Sequence, residues 1–121
     1  MLIASWLLLA LVHLTPAAVL AKPDLIRSLY GVEAAGELGV LLIHRGALFL
    51  AIVVVCLYAA WEPGARRAAS LVVGISVMSF LAVYALAGAP SGSLRLIALV
   101  DAVALAPFAL VSWNAWQSHD P

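Results

Sequence analysis

From Leu38 to Trp61 the chain reads LGVLLIHRGALFLAIVVVCLYAAW, an apolar run that carries His44 and Arg45 side by side. At helical rise this stretch covers about 36 Å, more than the hydrocarbon core of a bilayer requires. His44 and Arg45 fall about 10 Å in from Glu37. An ionised side chain at the centre of a span costs at least ~2.5 to 3.5 kcal/mol unless it is paired, hydrated or able to snorkel. The rest of the sequence is therefore read for partners.

Composition sets the class. Of 121 residues, 66% are hydrophobic and 10% charged, whereas a soluble domain carries about a quarter charged. This is the composition of a membrane protein of one domain. Formal net charge is zero, so no basic field draws nucleic acid, and no nucleic-acid partner is expected. Cys56 is the single cysteine, which excludes an intramolecular disulfide and a cysteine metal cluster. It reads as a buried filler thiol.

Four spans follow from the pattern, at about residues 2–21, 36–61, 68–87 and 94–116. Val19-Leu20-Ala21 before Lys22 has the form of a secretory cleavage site, but no Lys or Arg precedes the apolar run and His13 and Pro16 interrupt it. The segment is expected to be retained as the first helix, bent near Pro16, whose ring and missing N–H break the hydrogen-bond ladder. Residues 23–30 suit a short interfacial helix, with Leu25, Ile26, Leu29 and Tyr30 on one face and Gly31 as terminator. Glu62-Pro63-Gly64 marks the turn into the third span, whose Gly74, Ser76 and Ser79 would admit a close neighbour. A polar tail, 117–121, closes the chain. Lys and Arg are nearly balanced between the two sides and leave orientation open. Trp6, Trp61, Trp113 and Trp116 all map to the side that carries the termini, where an aromatic belt is expected.

Depth counting brings the polar residues together. His44 is seven residues past Glu37, Asp101 six past Arg95, His13 nine before Lys22 and Tyr84 six before Pro90. All lie about 9 to 14 Å deep from the side opposite the termini, so each span places one polar group in a common layer. Asp101 is the expected partner of Arg45. Glu37 and His44 share a stripe, as do Trp6 and His13, and the Asp101 stripe continues through Leu105, Phe108 and Ser112. His44 and Arg45 are about 100° apart, and Arg45 is the one long enough to snorkel. The layer thus offers Asp101, His44, His13 and Arg45 for proton transfer and charge stabilisation, with Tyr84, Glu37, Tyr30 and Phe108 around a substrate. The bland alternative is that these residues only tie the helices together. No metal is expected, because none of His13, His44 and Asp101 has a partner at i+3 or i+4 and Arg45 would repel a cation.

Tyr30-Gly31-Val32, His44-Arg45-Gly46 and Asp101-Ala102-Val103, in this four-span layout, resemble a group of small four-helix bacterial membrane proteins of unknown function. Those are often labelled phosphopantetheine adenylyltransferase. The resemblance implies the architecture and a bacterial inner membrane. The transferase label does not fit, since the chain has neither strand pattern nor glycine-rich phosphate loop.

The expected fold is all-α: an integral membrane four-helix bundle with a short interfacial helix between spans one and two. The expected function is binding of a small apolar molecule, steroid-, isoprenoid- or lipid-like, with acid/base isomerisation as its chemistry and no cofactor. A homodimeric proton-coupled transporter and a scaffold subunit with a structural polar layer are the alternatives.

Overall fold

Apolar residues surround every span, so the side chains that pack inward are selected by size. The computed structural model describes residues 1–117; the tail beyond Gln117 lies outside the described residues. Helix α1 spans Leu2–Ala17 and tightens into a 3-10 turn at Ala18–Leu20, α2 is Leu25–Tyr30, α3 Gly36–Trp61, α4 Arg66–Leu86 and α5 Leu94–Gln117. Four helices are long and apolar enough to cross a membrane, and the described residues contain no strand. The architecture is an all-α four-helix bundle.

Many of the large aliphatic side chains point outward, and many of the buried ones are alanines packed around a few larger residues such as Leu9, Val73, Val77 and Val111. Leu41, Ile75 and Val103 are exposed, and Ala10, Ala60, Ala69, Ala104 and Ala115 are buried. Hydrocarbon is as apolar as leucine, so spans gain by close backbone approach rather than by hiding large side chains. On α3 the buried stripe is Gly39, Gly46, Val53 and Ala60, a seven-residue repeat suited to a left-handed bundle. A Cβ on Gly46 would sit 3.0 Å from the Leu20 nitrogen and 3.3 Å from the Pro16 carbonyl oxygen. This contact with the end of α1 fixes the rotation of α3.

Around the bundle α1 packs between α3 and α5, α4 packs on α5, and the α3–α4 seam is the loosest. Pro16 is accommodated inside α1, which continues to Ala17. The short α2 buries Ile26 completely and ends at Gly31, whose φ of +70° is the left-handed cap a glycine adopts without strain.

One corner is held by two arginines. Arg66 donates from Nε to the Ala59 carbonyl at 2.8 Å and from Nη2 to the Ala60 carbonyl at 3.0 Å, while Arg67 donates from Nε to the Ala115 carbonyl at 3.0 Å. Both stand at the start of α4, where its own dipole disfavours cations. Arg66 instead satisfies carbonyls left unpaired at the C-terminal end of α3, and Arg67 bonds the Ala115 carbonyl near the end of α5. The Arg67 guanidinium also lies 5.5 Å from the Trp116 ring, whose Nε1 donates to the Ser70 hydroxyl at 3.0 Å.

Trp61, Trp113 and Trp116 are exposed at this end, but Trp6 is fully buried. Trp6 is therefore core and not a member of the expected belt: it lies on the inward stripe with Leu9, Ala10 and His13. Its Nε1 has no acceptor among the described residues.

Candidate functional site

Arg45 faces inward and His44 outward, so only one of the two adjacent residues expected in the polar layer turns toward the bundle interior. The Gly46 contact decides this: His44 stands two residues, about 200°, from Gly46 on the helical wheel and is exposed, whereas Arg45 is partly buried. Glu37 belongs to the outward stripe and is also exposed.

The Arg45 Nε–H donates to the Tyr30 hydroxyl at 3.4 Å. Its guanidinium carbon lies 4.7 Å from the Phe49 ring centroid, 5.7 Å from Tyr30 and 5.8 Å from Phe80. Each such cation–π contact contributes about 0.5 kcal/mol when exposed to about 2 when desolvated. Three of them match the ~2.5 to 3.5 kcal/mol that a cation costs at the centre of a span. At close range Arg45 is thus held by these side chains, while Asp101 acts on it electrostatically from farther off. No ion pair joins it to Asp101 among the described residues, where the salt bridge formed is the exposed Arg27–Glu33 pair. The expected Arg45–Asp101 salt bridge does not form, and the close partners of Arg45 are three aromatic side chains, one of them the Tyr30 phenol.

Arg45 and Asp101 nevertheless line one cavity of about 350 Å³, together with His13 and Tyr30. This is within the lower range of small-molecule sites. The remaining wall is mainly aliphatic, and Leu11 of α1 with Leu96 and Val100 of α5, all exposed on the outer surface, lie at its edge. A second, larger space lies across the bundle in the α3–α4 seam, and Arg45 and Phe49 line both.

His13 is buried, and both ring nitrogens are engaged. Nδ1 lies 2.8 Å from the Leu9 carbonyl oxygen, which can only accept, so the proton is on Nδ1. In the neutral ring Nε2 is then the acceptor, and the Ser76 hydroxyl donates to it at 3.1 Å. His13 thus ties α1 to α4 and has no spare nitrogen for a ligand.

Two further residues expected at the site lie elsewhere. Tyr84 donates to the Pro90 carbonyl at 2.5 Å and stacks on Phe80 at 6.1 Å, fixing the end of α4 to the following loop. Phe108 follows Asp101 by two turns and fills the space left by Gly74, where a Cβ would meet the ring tip at 2.9 Å. Gly74 and Ser76 are accordingly used within the chain, by Phe108 and His13. The reading by depth alone missed Phe49, although it stands four residues after Arg45 on the same face.

No known family, characterised protein or solved structure matches the chain. Chemically, the cavity offers one carboxylate, one guanidinium held by aromatic rings, and a phenol whose O–H proton is free of the Arg45 contact, all in an apolar chamber.

Proposed function

We propose that this chain is a membrane protein of the bacterial inner membrane that binds a small apolar molecule bearing one polar group, and that Asp101 exchanges a proton with it. The observation that supports this reading is the convergence of Asp101, Arg45 and Tyr30 on one apolar cavity whose lining includes Leu11, Leu96 and Val100, exposed on the outer surface of α1 and α5. Lining residues exposed on the outer apolar surface suit a molecule dissolved in the bilayer. In the reaction Asp101 takes a proton from carbon and returns it to another carbon of the same molecule. Arg45 and the Tyr30 hydroxyl stabilise the negative charge that develops on the polar group. An isomerisation of this kind is balanced without oxidant, reductant or cofactor.

The test uses the purified chain in detergent with a panel of steroid ketones and isoprenoid ketones, read by thermal stabilisation and by product analysis. At least one probe is expected to stabilise the wild type and to lose that effect in Val100→Trp, which fills the cavity. Asp101→Asn is expected to retain binding and lose turnover. Equal stabilisation of Val100→Trp and wild type by every effective probe overturns the site. Loss of folding in Asp101→Asn makes the carboxylate structural.

A further inference from the structure

We propose that the seam between α3 and α4 is a binding groove for a single-chain carboxylate, its head on Arg45 and its hydrocarbon chain lying along the two helices. The groove encloses about 670 Å³. On α3 it follows Leu48, Ile52 and Val55 at helical spacing, and on α4 it is bounded by Ile75 and Val83, both well exposed. It therefore faces outward along its length, where a lipid chain can lie. From Arg45 to Val55 is about 15 Å at helical rise, the reach of an extended chain of about twelve carbons.

Charge decides the head group. Arg45 is the charged residue lining this groove among the described residues, and Asp101 lines the cavity on its other side instead. A guanidinium carries five N–H donors in a planar fork. The Nε–H is directed to Tyr30, and the Nη–H groups have no acceptor among the described residues. A carboxylate brings one negative charge and two oxygens in the geometry that such a fork accepts. A phosphate dianion would leave one charge unmatched in an apolar groove, and an uncharged head would leave the fork unanswered. The aromatic rings of Phe49 and Phe80 beside Arg45 keep the cation in place without neutralising it.

This site goes beyond the cavity reading and does not rest on it. The test is native mass spectrometry of the full chain released from detergent, with dodecanoic acid, 1-dodecanol and dodecyl phosphate as probes of equal chain length. Dodecanoate is expected to bind at least tenfold tighter than either of the others, and Arg45→Gln to lose at least tenfold. Ser79 is an exposed groove residue, so Ser79→Phe blocks the groove without disturbing the core and keeps the test valid even where Arg45→Gln does not fold. It is expected to lower dodecanoate binding at least tenfold while Val100→Trp leaves it unchanged. Equal binding of dodecanol, or undiminished binding to Ser79→Phe, overturns the groove site. Tighter binding of dodecyl phosphate overturns the carboxylate assignment. Loss in Val100→Trp but not in Ser79→Phe puts the chain in the cavity and overturns the groove while sparing the cavity reading.

Discussion

The Ser76 hydroxyl donates to His13 Nε2 at 3.1 Å and links α1 to α4 across the bundle. Its partner ring is also fixed from below by the Leu9 carbonyl, so the contact is pre-oriented. Inter-helix hydrogen bonds in membranes average about 0.6 kcal/mol and reach about 1.7. Ser76→Ala is expected to destabilise the fold by about 1 kcal/mol, and His13→Ala by about 2 to 4, since it also opens a cavity beside Phe49. A double-mutant cycle in a reversible detergent-unfolding assay measures the coupling. A value near zero would show that the bond adds nothing beyond packing.

Gly46 and Gly74 both sit at close helix contacts, but against different neighbours. A Cβ at Gly46 meets the backbone of α1 at 3.0 Å, whereas at Gly74 it meets the tip of the Phe108 ring at 2.9 Å. A backbone cannot swing aside and a ring can. Gly46→Ala is expected to lower stability by about 1 to 3 kcal/mol and Gly74→Ala by less, despite its shorter contact. Thermal unfolding of the two variants in the same detergent checks the order.

His44 lies on the outward face. His44→Leu is expected to leave ligand binding unchanged and stability equal or slightly raised, because a leucine suits the outer apolar surface better than an imidazole. Arg45→Leu one residue later is expected to abolish binding. Side-by-side thermal-shift titrations decide it, and comparable losses in both would mean that α3 is rotated from the orientation described.

The spans were legible in the sequence because their ends are written in turn residues: Glu62-Pro63-Gly64 closes α3, where the Glu62 carboxylate accepts from the Gly64 N–H at 3.2 Å, and Gly31 closes α2. The rotation of each span was not. Amphipathic contrast, the usual guide to which face turns inward, is nearly absent in helices that are apolar all round. Depth brought together His13, Arg45 and Asp101, which line one cavity, but it also included Tyr84, and it could not tell His44 from Arg45, or see that Trp6 is interior. The repeat of small residues, Gly39, Gly46 and Ala60, carries the missing information, and it puts Arg45 rather than His44 beside the cavity. Aromatic neighbours were the second thing missed: Phe49 and Phe80 supply what a carboxylate was expected to supply, and no spacing rule joins Phe80 to Arg45 across two helices.

Arg66 binds two carbonyls at the end of α3. Charge-assisted hydrogen bonds contribute about 1.5 to 3 kcal/mol each, and their removal leaves unpaired carbonyls near the membrane boundary. Arg66→Gln is expected to cost about 1 to 3 kcal/mol and Arg66→Leu more. Hydrogen exchange should show the change first as faster opening of the last turn of α3, and protection unchanged there would mean that the corner is held by Pro63 and the turn alone.

The two arginines of that corner also set an order of assembly. Arg66 closes on residues six and seven positions behind it, so its contact can form as soon as the start of α4 has been synthesised. Arg67 reaches 48 positions ahead to Ala115 and must wait until the last helix has been made and inserted. Adjacent residues thus form clasps of opposite reach: the first lies within the α3–α4 hairpin, and the second cannot close before α5 is in place.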